Sequence, residues 1–305
     1  MMTRREMLGA AAAAGAGALI GAGVADAAGL ADLVPGAPTL IVKDLSLVAR
    51  YYEEGIGLQR IDSAGDTVQL GAGGRVLLTL RKREAAERET PRLAGLYHTA
   101  FLLPSRAELG AWLRRAIAIR LPFDGVSDHK VSESLYLSDP EGNGIEIYAD
   151  RPRAAWTWTN GVVEMGNNPL DGEGILRDGQ ALPAREAVPD GTVVGHVHLR
   201  VGGIPEAEAF YRGVVGLDIT RKRDGATFYA TSGYHHHLAT NTWESAGSPK
   251  RTGELTGLAV LTLVAKDKAA FDARAERMIA AGGKLEGRVA RAEDPWGNVV
   301  ELSTV

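Results

Sequence analysis

The sequence predicts an α+β protein built from four copies of one strand–helix–strands unit. Three observations predict it. Two stretches end almost alike: Asp139-Pro140-Glu141-Gly142-Asn143, with Glu146 three residues on, and Asp294-Pro295-Trp296-Gly297-Asn298, with Glu301 three residues on. Each is a turn sequence followed by strand-like alternation. A second pair, Tyr51-Tyr52-x4-Gly57-Leu58 and Phe210-Tyr211-x4-Gly216-Leu217, recurs after a short strand and a short helix. The spacing of these motifs places units near 37–82, 95–150, 193–244 and 255–305.

Taken in order, the chain opens with Arg4-Arg5 and an uncharged Ala/Gly-rich stretch from Met7 to Ala25. A small-residue site, Ala25-Asp26-Ala27, follows. This reads as an export signal over 1–27, of the twin-arginine type, and predicts a periplasmic or extracellular protein. The Ala/Gly middle is a poor permanent membrane span, so no membrane segment is expected once the signal is removed. In the second unit Tyr97–Leu103 reads as a strand and Ser105-x-x-Glu108 as a capping box. Leu109, Trp112, Leu113, Ala116 and Ile117 then keep helical spacing. Residues 151–192, with Trp156, Trp158 and several Gly and Pro, form a connector that its tryptophans should hold against the body. Pro205 suits the first turn of the third unit's helix. In the fourth unit Leu258–Val264 is a strand, and Phe271, Ala275, Met278 and Ile279 mark a helix that Gly282-Gly283 stops. The repeats thus pair as a first half, 37–150, and a second half, 193–305.

Composition narrows the function. Hydrophobic residues make up 45% and charged residues 24%, which describes a globular chain. A net charge of -4 argues against nucleic-acid binding. The absence of cysteine excludes disulfides, thiolate metal sites and cysteine nucleophiles, so any metal must be held by His, Asp or Glu. There are seven histidines: His98, His129, His196, His198, His235, His236 and His237. Strand alternation puts His196, His198 and Arg200 on one face. His98 opens the corresponding strand of the second unit, and Glu146 sits in a last strand, facing away from Ile145 and Ile147. A buried carboxylate needs a partner, and two imidazoles with one carboxylate make a facial triad that leaves positions open on a divalent metal. The first unit has Thr39, Ile41 and Leu78 in these slots, and the fourth has Leu258-Ala259-Val260.

These residues resemble the vicinal oxygen chelate superfamily, which includes glyoxalases, bleomycin resistance proteins and extradiol dioxygenases. The Gly195-His196-Val197-His198 strand, Ala209-Phe210-Tyr211, the Tyr234-His235-His236-His237-Leu238 run and the Asp-Pro-x-Gly-Asn turns carry the likeness. Gly95–Arg106 with Asp128-His129 and Leu135–Asp150 is similar to the catechol-2,3-dioxygenase-like branch. The resemblance spans 37–305. It implies an α+β fold of four βαβββ modules paired into two cupped mixed-sheet barrels. It also implies an extradiol ring-cleaving dioxygenase that uses Fe(II), or Mn(II), with a small aromatic diol and O2 as partners. Such barrels often associate, so a homo-oligomer is compatible. By resemblance the metal ligands are His98, His196 and Glu146. His237, then His236, serves as acid–base, Tyr136 faces substrate, and His129 stands behind. Trp243, Phe228 and Tyr136 are candidates for the ring wall.

One departure leaves alternatives open. Familiar ring-cleaving members take their ligands from the third and fourth units, whereas here the full set sits on the second and third. Either those two units pair, or the ligands are His196, His237 and Glu301, or the site has decayed. The rival functions are a glyoxalase-type metal-dependent lyase or isomerase, and an exported non-catalytic protein that binds a small molecule or metal.

Overall fold

A computed structural model describes residues 31–305, so the expected signal, 1–27, lies outside the described residues. A short strand β1 (Leu33–Pro35) leads into the first unit: β2 (Thr39–Val42), α1 (Leu45–Arg50), β3 (Gln59–Ala64), β4 (Thr67–Ala72) and β5 (Arg75–Lys82). The second is β6 (Gly95–Leu102), α2 (Arg106–Ala118), β7 (Gly125–Asp128), β8 (Ser132–Ser138) and β9 (Gly144–Asp150). The connector carries a small hairpin, β10 (Trp158–Thr159) and β11 (Val162–Val163), and helix α3 (Gly172–Gly179). The third unit is β12 (Val193–Arg200), α4 (Ile204–Glu208), β13 (Asp218–Arg223), β14 (Ala226–Ala230) and β15 (Leu238–Asn241). The fourth is β16 (Gly257–Ala265), α5 (Lys268–Ala280), β17 (Lys284–Glu286), β18 (Val289–Glu293) and β19 (Val299–Thr304). Among the described residues no helix is long and apolar enough to cross a membrane.

Local chemistry explains these boundaries. Ser105 accepts from the Glu108 amide at 3.2 Å and Asp267 from the Ala270 amide at 2.7 Å, so both long helices begin on a side-chain cap. After α1 and α4 the chain widens into single turns, Tyr51–Ile56 and Ala209–Val214, which explains the repeated Tyr-x4-Gly-Leu spacing. Gly57 closes the first at φ +94, where a Cβ would lie 2.7 Å from the Glu186 carbonyl oxygen. The Asp-Pro-x-Gly-Asn repeat is a buried clasp. Asn143 donates its backbone and side-chain N–H to Asp139 at 3.0 and 2.8 Å, and Asn298 does the same to Asp294 at 2.9 and 2.8 Å.

The two curled sheets are mixed. One runs β13-β14-β15-β12-β6-β9-β8-β7; the other runs β17-β18-β19-β16-β2-β5-β4-β3, with β1 paired antiparallel to the last residues of β16. In each sheet the first strands of two units meet antiparallel at the centre, and each first strand runs parallel to the last strand of its own unit. The sheets therefore join the second unit to the third and the first to the fourth. Of the pairings that the sequence left open, the second unit goes with the third, so 37–150 and 193–305 are each divided between the two sheets. The physical reason lies in the central strands. β6 and β12 carry polar residues that can be buried only against one another. The central strands β2 and β16 offer Leu40, Val42, Leu258 and Leu261 instead. One apolar core contains residues of both sheets, including Leu40, Tyr52, Phe101, Trp112, Leu199, Tyr211 and Leu263. Tyr52 meets Phe101 edge-on at 6.4 Å, and Trp112 Nε1 donates to the Ile56 carbonyl at 2.8 Å.

The connector packs on this body, as its composition suggested. Trp156 is buried while Trp158 is exposed. Helix α3 lies against α2 at two glycines: a Cβ on Gly110 would sit 2.0 Å from the Ile175 carbonyl oxygen. Replacing Gly110 by Val should force these helices apart at a cost of about 1–3 kcal/mol. The expected result is a lower thermal midpoint together with faster proteolysis inside 151–192.

Candidate metal centre

The site grows from the pairing of β6 with β12. In that register His198 lies opposite His98 and His196 opposite Ala100. On the other side of β6, Ala100 lies beside Glu146 of β9. Directly paired strand residues project to the same side of a sheet. Glu146, Ala100 and His196 therefore form one row on the concave face, and the small Ala100 leaves space in which the flanking side chains converge. His98 stands in the adjacent row. The result is a compact cluster. Glu146 Oε2 lies 3.0 Å from His98 Nε2 and 3.0 Å from His196 Nε2, and the two imidazole nitrogens are 3.3 Å apart. All three residues are buried, and their ligand atoms meet the geometry of a metal-holding group.

The electrostatics suit a cation. Burial raises the affinity of Glu146 for a proton, but His196 and His98 outweigh it and hold the carboxyl well below the usual range. Burial pushes His196 down to about 4 even though Glu146 pulls the other way. Near neutral pH the donor set is one carboxylate with a neutral His196. Donors at right angles and about 2.1 Å from a small divalent ion lie about 3 Å apart, close to the separations present here. The residues therefore fit a divalent metal.

A cavity of about 570 Å³ opens above the triad. Tyr97, Tyr136, Phe228 and Trp243 give it aromatic walls, and Met165 of the connector closes one side. Arg221 ties that connector down by donating to the Val163 carbonyl at 2.9 Å. Tyr136 is partly buried, and its hydroxyl meets His129 Nε2 at 2.6 Å while His129 Nδ1 meets the Gly166 carbonyl at 2.7 Å. A carbonyl only accepts, so Nδ1 carries a proton. In the neutral ring Nε2 is then left to accept from Tyr136. Burial, then Glu146, keeps the phenol protonated well beyond its ordinary range.

The three consecutive histidines part ways. His236 lines the cavity, its ring 4.1 Å from that of His196 between centroids. Burial, then His196 and His235, lowers it well below the usual histidine range, so it is neutral. His237 instead stacks on Tyr234 at 4.7 Å with an 11° interplanar angle, and does not line the cavity. His237, the expected lead acid–base, thus lies away from the cavity, and of the three consecutive imidazoles only the middle one lines it. The alternative ligand set also fails to assemble. Glu301 belongs to the other sheet, where it pairs with Arg291 and stands opposite Thr262. Sequence reasoning noted the face of His198 but gave it no role. Its ring packs against Tyr97, His98 and Trp243, and its Nε2 accepts from the Asn241 amide at 3.0 Å. It also missed Asp150, which meets His235 Nε2 at 2.8 Å. Alternation from His196 marks His198, whereas no sequence signal joins Asp150 to a residue 85 positions away.

With this geometry in place, comparison with known proteins is decisive for the family. The Glyoxalase/Bleomycin resistance protein/Dioxygenase superfamily matches residues 35–147 and 193–302. The chain belongs to this superfamily. It is 39% identical over 256 residues to a catechol-2,3-dioxygenase of Bacillus subtilis (strain 168), covering 82% of this chain and 89% of that protein. It is 31% identical over 120 residues to biphenyl-2,3-diol 1,2-dioxygenase 2 of Rhodococcus globerulus, covering 37% and 58% of the two chains. Among solved structures, glyoxalase I from Zea mays superposes with a TM-score of 0.53 at 14% identity, over 89% of this chain and 92% of that one, a likeness of fold alone.

Burial of neutral imidazoles sets an acid limit on stability. His237 is lowered by burial to about 3, whereas an unfolded histidine titrates near about 6.5. Between those values the unfolded chain binds more protons. This stability is therefore complete above about pH 6.5 and is lost as the pH falls toward about 3. In His237→Asn, whose Oδ1 can still accept from the Thr231 amide that His237 Nδ1 meets at 3.4 Å, the acid dependence should weaken. The expected decrease between pH 6 and 4 is about 1.4 kcal/mol per pH unit, one proton's worth, read from urea titrations at each pH.

Proposed function

We propose that this protein is a metal-dependent extradiol dioxygenase that opens a catechol-like aromatic ring with O2. The observation that carries the reading is the convergence of His98, His196 and Glu146 beneath an aromatic-walled cavity. Similarity to a catechol-2,3-dioxygenase over 82% of the chain supports it. In the overall reaction the ring carbon–carbon bond beside the two hydroxyls breaks, and both atoms of O2 enter the product.

His98, His196 and Glu146 would hold Fe(II), or Mn(II) in its place. One carboxylate and two coordinating imidazoles would leave a divalent ion a net charge of about +1, which suits a diol that has lost one proton. Such a metal, when bound, would supply Lewis acidity and the redox partnership that O2 requires. The protein does the rest. Phe228 and Trp243 flank the ring, and His198 is held beside them by Asn241. His236, neutral and facing the cavity, takes the diol proton and can later return it. Tyr136, with its O–H donated to His129, offers its oxygen lone pair toward the cavity beside His98. Met165 and the tied connector add an apolar wall on that side.

The test is metal analysis of protein purified without air, followed by catechol in air with oxygen uptake recorded. Stoichiometric iron and a yellow ring-cleavage product are expected. Both should be lost in His98→Ala and Glu146→Ala, with turnover down by at least about 100-fold, and both kept in Glu301→Ala. Oxygen-independent turnover with zinc or nickel would move the assignment to a glyoxalase-type lyase. Tight ligand binding without turnover would make it a binding protein.

Export belongs to the same proposal and rests on Arg4-Arg5 and the stretch up to Ala27. Fractionation of cells should find the protein outside the cytoplasm, and the change of both Arg4 and Arg5 to Lys should retain it inside.

A further inference from the structure

Behind His236 lies a chain of hydrogen bonds that the reaction above does not use. Asp150 Oδ1 is 2.8 Å from His235 Nε2, and His235 Nδ1 is 2.7 Å from His236 Nδ1. The second Asp150 oxygen accepts from the Tyr234 hydroxyl at 2.9 Å, which lies 3.1 Å from that of Tyr148. Two aromatic rings clamp His235: Tyr234 at 4.1 Å between centroids with a 30° tilt, and Trp156 at 5.0 Å. The histidine is fully buried, whereas Asp150 keeps 21% of its side chain exposed.

Each bond constrains the next. A carboxylate accepts only, so His235 Nε2 carries its proton toward Asp150. In a neutral His235, Nδ1 is then an acceptor. Two ring nitrogens 2.7 Å apart need one proton between them, so His236 Nδ1 must supply it. A neutral His236 that holds its proton on Nδ1 has a lone pair on Nε2, the nitrogen remote from His235. The alternative is a protonated His235 paired with Asp150, which would reverse the last bond. It would put the His236 proton on Nε2 and remove the base.

We propose that Asp150 and His235 are positioning residues that fix His236 as the Nδ1–H tautomer, so that its Nε2 presents a lone pair to the cavity. The tautomer follows from hydrogen-bond direction at constant charge. Its consequence for turnover rests on the reading of His236 as the base.

The test reads the tautomer directly, by ¹⁵N–¹H correlation of imidazole nitrogens in metal-free, ¹⁵N-histidine-labelled protein, with His236→Gln assigning the signals. The expected wild-type pattern is a protonated Nδ1 and bare Nε2 on His236, with the reverse on His235. A His236 protonated on Nε2, or a doubly protonated His235, would overturn the proposal. Two variants separate positioning from packing. Asn at 235 places its Oδ1 where the imidazole Nδ1 was. His235→Asn should therefore hold the His236 tautomer and recover most of the turnover lost in His235→Leu. In His235→Leu the His236 signals should show both tautomers, and kcat should fall about 10- to 100-fold with KM little changed. Equal spectra and equal kcat in the two variants would also overturn it. If His235→Leu fails to fold, the wild-type and Asn spectra decide alone. A wild type that cleaves no catechol sinks the functional reading but leaves the spectra to judge this one. Cleavage by a wild type whose His236 carries its proton on Nε2 does the opposite.

Discussion

The antiparallel contact of β6 with β12 is the interaction on which the rest depends. It brings Glu146 within 3.0 Å of two imidazoles, and without those partners the carboxylate could not stay ionised in the interior. On the opposite face Val197 and Leu199 stand against Thr99 and Leu96, all four buried. Gly195 contributes as well. A Cβ there would lie 1.8 Å from the Tyr148 hydroxyl, so only glycine lets the two central strands and Tyr148 share the space. A slip of β12 by one residue would turn His196 and His198 toward the apolar core.

The fold divides its labour between two sheets of the same plan. Both contain the Asp–Asn clasp, the widened turn and the parallel pairing of first and last strands. These shared features are structural, which is why they recur in both halves of the chain. The candidate metal centre lies in the sheet with histidines. Glu301 occupies the same slot as Glu146 yet pairs with Arg291, since its neighbours on β16 offer no imidazole. The nested order of the units also gives the connector its task. Passing between the second and third units, it stays beside the cavity they form. There it supplies Met165 and the Gly166 carbonyl that orients His129.

Much of this was legible in the residues. The repeated turn exposed the four units, and the period of two on β12 put His196 and His198 on one face. The slots of His98 and Glu146 pointed to the triad. The run His235–His237 was less legible because it precedes β15 rather than belonging to it, so strand alternation could not say which ring faces inward. The histidine that resemblance favoured, His237, is stacked on Tyr234, and His236 takes the inward position. The partner of His235 was invisible for another reason: Asp150 lies at the end of a strand in a different unit.

By itself the sequence determined the local pieces: which segments are strands and helices, where they turn, and which side chains share a face. Those properties depend on hydrogen bonds and periodicities within a few residues. Only the tertiary structure decided which units join, because the edges of four similar units are locally alike. The choice rests on which polar faces can satisfy one another in the interior. That choice turned three separate side chains, His98, Glu146 and His196, into one cluster and left Glu301 with an arginine.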